Sequence, residues 1–349
     1  MNAAVSEECA ELGMEVRVSE IEKELRKLWE QDDARTNASL VNLVMYSEKR
    51  GSLAEHSGIA AKLTLDHACR VILVEIDRAV TEPSLRAWIT AHCHLSQGRK
   101  SVCCEQIAFR LTGRVTGRFR NTVFSHLESD LPLVFWWHGE LSDVLTERLA
   151  SVIDRLIVDS RDWKNPAASF SKLEEAARVN IDLIIQDHAW TRTWQFRLGI
   201  ASIFDDPAAA RALSEMNEVA IEYCGRDRNS MLQLLTWLQV QAGWKKAGEL
   251  RFSRPGGAIA IRLVELADGP PIASVTMKAP DFTGKVRQDP GEELVRRSIE
   301  TSGYHVASVS PADTDTREEL LTAQLARGGK NTLFRKVLPV FREMLETMP

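Results

Sequence analysis

The chain has 349 residues, 44% of them apolar, with 44 Lys plus Arg against 49 Asp plus Glu and a formal charge of −5. A chain this long buries roughly 70–75% of its unfolded surface, so it needs no disulfide or metal to fold, and about two domains are expected. The near balance of charge removes the electrostatic case for nucleic acid as the main partner.

The opening "MNAAVSEECAELGMEV" is acidic where a secretory signal is basic. No apolar run reaches the roughly 20 residues of a membrane span. A cytoplasmic chain with no membrane partner is therefore expected, with Cys9, Cys69, Cys93, Cys103, Cys104 and Cys224 mostly reduced and no disulfide framework. Residues 1–15 read as frayed. "VSEIEKELRKLWEQ" reads as a helix, with Ser19 and Glu22 as a capping box and Ile21, Leu25, Leu28 and Trp29 as its apolar stripe. "SLVNLVMYS" (39–47) and "CRVILVEID" (69–77) read as buried strands, and 85–96 and 102–113 as strands joined by a "QGRK" hairpin.

A helix is expected near 116–128, then "LPLVFWWHGE", a helix at about 141–150 and a strand at 155–160. This alternation predicts a mixed sheet covered by helices. Phe135, Trp136 and Trp137 fall at the C-terminal end of a central strand, where such sheets place ligand or partner sites. Residues 167–203 read as helical. Asp206 as N-cap and Pro207 start another helix, 217–224 alternates as a strand, and a further helix runs to Gly243. "LRFS", "AIAIRLVEL" and "PIASVTMKA", joined by "RPGG" and "ADGP", predict a β-meander. Two C-terminal helices follow: Thr316 and Glu319 would cap the first, Gly328-Gly329 end it, and Pro339 kink the second. The fold class is α/β (mixed α+β), with an N-terminal α/β domain over 16–170 and a C-terminal α+β domain over 171–349, the boundary falling within 165–185.

Motifs for chemistry are sparse. His92, Cys93, His94, Cys103 and Cys104 lie within thirteen residues, but on a strand one face offers only His92, His94 and one cysteine, short of a closed zinc shell. No metal site is assigned, and buried thiols with edge histidines account for the cluster. There is no phosphate-loop, G-x-S-x-G or H-E-x-x-H pattern, so no catalytic residue and no cofactor are nominated. Trp136 and Trp137 project to opposite faces of their strand, which core packing with locally satisfied indoles explains. Trp190, Trp194 and Arg197 align at i, i+4, i+7 on a helix, with Asp187 before them and Arg192 at the flank. That is the composition of an interface hot spot, and equally that of a helix packed by its tryptophans between two domains.

Taken together, "SLVNLVMY", "CRVILVEID", "CCEQIAFRLTG", "DLPLVFWWHGE", "RLIVDSRDW" and "DHAWTRTWQFRLGIASIFDDP" resemble the OpcA family, glucose-6-phosphate dehydrogenase assembly proteins of cyanobacteria and actinobacteria. Asp187, Trp190, Arg192, Arg197, Phe204 and Asp205 hold the places of the family's last motif, while Phe196 stands where the family usually has its second Trp. The resemblance implies a non-catalytic protein without a cofactor that binds glucose-6-phosphate dehydrogenase and promotes its active oligomer or raises its affinity for substrate. Trp137, His138, Gly139, Asp187, Trp190, Arg192, Trp194 and Arg197 are the residues expected to meet the partner; self-association is left open. The competing readings are an α/β enzyme or sensor for a phosphorylated sugar or nucleotide near His138, a metal site on His92 and His94, and a redox role for Cys103 and Cys104. Being neighbours on a strand, those two cysteines would need a distant or intermolecular partner.

Overall fold

Runs such as Val-Ile-Leu-Val at 71–74 and Leu-Val-Phe-Trp-Trp at 133–137 carry no polar alternation because both of their faces are covered. The computed structural model describes residues 12–30, 35–37, 39–96, 100–113, 119–327 and 331–348. The chain folds into two units: residues 1–158, 172–185 and 317–328 form the first, and 159–171, 186–316 and 329–349 the second.

The first unit is built on a nine-stranded sheet. Its strands are β1 (Met14–Val16), β2 (Arg35–Asn37), β3 (Asn42–Ser47), β4 (Arg70–Asp77), β5 (Ser84–Ser96), β6 (Lys100–Thr112), β7 (Leu133–His138), β8 (Arg155–Val158) and β9 (Ile184–Asp187). The order is β1-β5-β6-β4-β3-β7-β8-β9, with β2 beside β6. β6, β4, β3, β7 and β8 run parallel, while β5 and β1 add an antiparallel flank. Every residue of β3, β4 and β7 is buried. From β3 the chain passes through the helix Ser52–Leu63 to β4 on one side, whereas β7 lies on the other. The ends of β3 and β7 therefore flank a switch point, the crevice where doubly wound sheets place ligands.

One face of this sheet carries Leu43, Met45, Val71, Leu73 and Trp136 under Leu53, Ile59, Ala60 and Leu63 of that helix and Leu321 of the helix Arg317–Ala326. Ion pairs Arg317–Glu55 at 2.7 Å and Lys62–Glu318 at 2.6 Å tie the two helices together.

Several expectations change here. Residues 14–16 are not frayed: β1 pairs with β5, which satisfies its backbone, while 1–11 lie outside the described residues. Ser19 caps nothing, because a 3-10 turn at Val18–Glu20 precedes the helix Ile21–Glu30. Residues 97–99 of the "QGRK" connection lie outside the described residues, but the flanking strands pair as expected.

The cysteines are not all reduced. The register sets Cys93 opposite Cys103, with Cα atoms 4.0 Å apart, and the two form a disulfide. The strand pattern sets Cys93 away from His92 and His94 and sets Cys103 and Cys104 on opposite faces, without fixing which of the two shares the face of Cys93; the pairing register selects Cys103. Cys69, Cys104 and Cys224 are free and buried.

The second unit holds an eight-stranded sheet of β10 (Glu218–Cys224), β11 (Lys245–Gly248), β12 (Arg251–Arg254), β13 (Gly257–Leu266), β14 (Ile272–Ala279), β15 (Phe282–Gln288), β16 (Leu294–Glu300) and β17 (His305–Pro311). Its order is β11-β12-β13-β10-β14-β15-β16-β17, so the expected meander is interrupted: β10 lies between β13 and β14, parallel to the first and antiparallel to the second. The central place suits β10, whose Val219 and Ile221 are fully buried beside Val275 and Met277.

The helical stretch expected over 167–203 is broken into Pro166–Val179, His188–Thr191 and Trp194–Ile203, with β9 between the first two. The β-branched pair Ile184-Ile185 favours a strand, and Asp187 at its end caps the next helix. Asp206 does cap Pro207–Ala212, accepting from the N–H groups of Ala208 and Ala209, and Gly243 at φ 68° ends Arg228–Ala242. Gly328-Gly329 lies outside the described residues, and the last helix, Thr332–Thr347, runs through Pro339.

Candidate functional site

In the first unit β7 delivers Trp136, Trp137 and His138 to the switch point. Trp136 and Trp137 are buried on opposite faces, as their strand requires. Trp137 lies against Tyr46 at 4.3 Å and Phe135 at 5.9 Å, and its indole N–H donates to the Glu140 carbonyl at 3.1 Å. His138 is 9% exposed and stacks on Trp136, with rings 5.5 Å apart and 4° from parallel. Its Nδ1 is 2.8 Å from Nε2 of His56 on the helix Ser52–Leu63. Burial lowers His56 to about 3, helped by the charges of His138, Arg317 and Lys49, so its ring stays neutral. Gly139 follows at φ 108°, exposed, where a side chain would strain the turn out of the sheet.

Beside this pair, the fully buried Glu75 at the end of β4 turns toward the start of the helix Ser52–Leu63. Its Oε2 accepts from the Leu53 N–H at 3.3 Å and the Ser52 hydroxyl at 3.4 Å, and its Oε1 from Arg110 Nε at 2.8 Å. The N-terminus of a helix at a switch point is where a phosphate would dock. Here the chain's own carboxylate occupies it and Arg110 neutralises it.

In the second unit Asp187 is fully buried and saturated: it accepts from Ala189 N–H and Ser160 N–H, both at 3.0 Å, from the Ser160 hydroxyl at 2.6 Å and from Gln233 at 2.7 Å. Burial raises its pKa, against the pull of Ser160. Arg192, 2% exposed, forks onto Asp159 with two 2.7 Å bonds and reaches Asp315 with a third at 2.7 Å. Burial alone would raise Asp159, but the two bonds from Arg192, with the His188 ring 3.8 Å away, outweigh it and hold the carboxyl well below its usual range. Arg161 extends the network to Asp227 and Asp315.

The Arg197 guanidinium lies 3.7 Å over the Trp190 ring and 5.7 Å from that of Trp194, and it donates to the Trp190 carbonyl and the Thr193 hydroxyl. Trp190 in turn packs on Phe334 at 5.3 Å. The residues expected at a partner surface thus separate. Trp137, Asp187, Trp190, Arg192 and Arg197 are buried, His138 nearly so, and Gly139 and Trp194 reach solvent. The break between the helices His188–Thr191 and Trp194–Ile203 keeps Arg197 stacked on Trp190 while Trp194 turns out.

Trp194, Leu198 and Ala201 form an outward i, i+4, i+7 stripe, with Trp194 38% and Leu198 46% exposed. The stripe runs into an apolar hollow of about 420 Å³, lined by Ala201, Phe204, Trp237, Leu238 and Trp244 among others. Leu198 and this hollow were missed from sequence, although the stripe's spacing was readable. His56 and Glu75 gave no signal, because their partners are distant in the chain.

His92 bonds Gln106 at 2.9 Å and His94 bonds Thr64 at 3.3 Å, so the two histidines are engaged separately. Among the described residues no group of three or more His, Cys, Asp or Glu is placed to hold a metal ion, and no helix is long and apolar enough to cross a membrane.

The chain is thus an α/β protein of two sheets, with Trp190 packed behind the half-exposed Trp194 in its second unit. Two family models match it in tandem: the glucose-6-phosphate dehydrogenase subunit N-terminal domain over residues 60–175 and the corresponding C-terminal domain over 184–338. The chain belongs to the OpcA family. It is 25% identical to a putative OxPP cycle protein OpcA of Synechocystis over 84% of its own length and 66% of that protein's. A namesake from Nostoc punctiforme is also 25% identical, over 81% and 66%. The chain thus spans about two thirds of the length of these curated relatives.

Among solved structures it is similar to a 3-ketoreductase from Actinomadura kijaniata in complex with NADP and TDP-benzene, at 10% identity and a TM-score of 0.48, covering 88% of this chain and 96% of that one. It is also similar to an aldose-aldose oxidoreductase from Caulobacter crescentus, at 10% identity and a TM-score of 0.47, covering 88% and 97%.

Proposed function

We propose that the chain is a non-catalytic assembly factor and allosteric activator of glucose-6-phosphate dehydrogenase, acting in the cytoplasm in support of the oxidative pentose phosphate pathway. The observation that carries this reading is the tandem family match, which extends over both halves of the chain. The site chemistry supports it. At the switch point the groups that could serve a reaction serve each other: Glu75 caps a helix and pairs with Arg110, and His56 is sealed against His138.

The dehydrogenase would meet Trp194, Leu198 and the adjoining hollow. Asp187, Trp190, Arg192 and Arg197 stand behind that surface, and Gly139, with the edge of His138, marks a second point of approach. Binding energy that favours the competent state of the dehydrogenase shifts its population, and a tenfold effect needs about 1.4 kcal/mol of preference. One partly exposed Trp that becomes buried can supply it.

The test is to purify the chain with the dehydrogenase of its own organism and to measure substrate saturation with and without it. Co-elution with a raised kcat or a lowered apparent KM is expected. Failure to associate, or turnover of glucose 6-phosphate by the chain alone, would remove the reading.

A further inference from the structure

The two edges of the sheet in the second unit are built differently. β11 is guarded: it is four residues long, begins with Lys245 and Lys246, and pairs with β12 through a register shift between Lys246 and Gly248. Short length, lysines and irregularity are how edge strands avoid pairing with strangers. β17 has none of these. It is seven residues long, reads His-Val-Ala-Ser-Val-Ser-Pro without an acid, Lys or Arg, and keeps an unbroken register with β16 from Leu294↔Pro311 to Glu300↔His305. Val306 is 49% and Val309 57% exposed. Among the described residues no strand pairs with its outer edge.

Which backbone groups face outward follows from the phase of the ladder. The Thr301 N–H donates to the Tyr304 carbonyl at the hairpin end, and the Ala312 N–H to the Glu293 carbonyl at the other. Between these bonded pairs antiparallel strands alternate. Val306, Ser308 and Ser310 therefore bond inward to β16, while His305, Ala307 and Val309 direct N–H and C=O outward. Pro311 falls in the outward phase too, and having no N–H it ends the row of free donors.

We infer that the outer edge of β17 pairs antiparallel with the same edge of a second copy of this chain, about a two-fold axis at Ala307. That axis sets Ala307 opposite its counterpart and His305 opposite Val309, three residue pairs that each exchange two backbone hydrogen bonds. The side chains agree with this occupant. The residue on the axis is a methyl, no like charges are brought together, and each exposed Val309 is covered by the His305 ring across the seam. Val306 faces Ser308 on the other side of the sheet. The hairpin turn at Ser302-Gly303 and Pro311 bound the free stretch at its two ends, so it suits a strand of its own length, and a second copy brings one already ordered.

The experiment uses the full chain, followed by sedimentation over two decades of concentration, with amide exchange read at both ends of the range. The mass is expected to double. Exchange at His305, Ala307 and Val309 should slow as dimer forms, whereas Ser308, already bonded to β16, stays unchanged. Ala307→Pro removes only an outward donor, so it should hold the chain at monomer mass with its melting temperature kept. Val309→Lys, which leaves the backbone intact, should do the same. A wild-type chain that stays monomeric at the highest concentration overturns the inference. So does a dimer that survives both substitutions, or one that leaves the Ala307 and Val309 amides unprotected.

Discussion

Both units carry a concentrated tryptophan cluster, and the two are used in opposite ways. At the end of β7 everything closes inward: Trp136 and Trp137 are fully covered, the Trp137 indole is satisfied three residues away, and His138 is held between Trp136 and His56. In the second unit the stack begins inside, with Phe334 under Trp190 under Arg197, and ends outside on Trp194. Density of aromatics alone therefore does not nominate a contact surface; the proposed one rests on a stack that stops half-covered. The sealed cluster should respond to substitution through stability, and the open one through binding at its outer member.

The largest effect is expected behind the open cluster. Arg192→Ala leaves Asp159 without its guanidinium, while Asp315 keeps Arg161, and Asp159 is almost wholly enclosed. Removing one member of a buried pair typically costs about 3–5 kcal/mol. Urea unfolding should show a loss of that order, together with loss of activation in proportion to the unfolded fraction. A variant that kept full stability yet no longer activated would mean that Arg192 reaches the partner directly.

The next effect belongs to the sealed unit. The Cys93–Cys103 link joins residues ten apart, and closing a loop of that size constrains the unfolded chain by roughly 2–3 kcal/mol. Reductant, or Cys93→Ser, should lower the unfolding midpoint of the first unit and leave activation at low temperature intact. Coincident midpoints with and without reductant would show that the strands alone hold the hairpin.

Much of the fold was legible because its signals are local. The apolar runs of β3, β4 and β7, the Asp206-Pro207 start and the Gly243 stop are each set within a few residues. Legibility failed where a partner distant in sequence decides. β10 enters between β13 and β14, Cys93 finds Cys103 only through register, and Glu75 on β4 turns to Leu53 at the start of the helix that leads into that strand. The stretch 167–203 was misread because helical spacing persists across β9, so the period could not show where the chain straightens. The i, i+4, i+7 alignment of Trp190, Trp194 and Arg197 was visible. That two of the three are inside was not, since burial depends on which neighbour lies over each face.

A smaller effect probes the seal at the switch point through pH. His56 has a folded value lowered to about 3, below the usual 6.5, so the unfolded chain binds a proton that the folded chain refuses. Its contribution is present above pH 6.5 and is lost as pH falls from there toward 3. The slope approaches about 1.4 kcal/mol per pH unit, or roughly 2 kcal/mol by pH 5. His92, lowered by burial in the same direction, adds to the slope, so the comparison is between wild type and His56→Gln. The variant's stability should vary less between pH 7 and pH 5. Parallel curves for the two proteins would show that His56 is hydrated or protonated in the fold.

The smallest effect on stability should accompany the most specific effect on function. Trp194 and Leu198 lie at the outer end of the open cluster, and exposed positions of this kind usually change stability by less than about 0.5 kcal/mol. Trp194→Ala keeps Arg197 on Trp190 and keeps the hydrogen bonds from Arg197 to Trp190 and Thr193. Leu198→Glu places a charge on the stripe without touching the core. Both variants should melt with the wild type and bind the dehydrogenase at least about tenfold more weakly, because hot-spot aromatics typically carry more than about 1 kcal/mol at an interface. Arg197→Met is the control from inside: it should lose stability first, since it removes the guanidinium stacked on Trp190 and its buried hydrogen bonds to the Trp190 carbonyl and the Thr193 hydroxyl. If Trp194→Ala and Leu198→Glu bound normally while Arg197→Met alone impaired activation, the exposed end of the stack would be ordinary surface, and the contrast between the two clusters would reduce to packing.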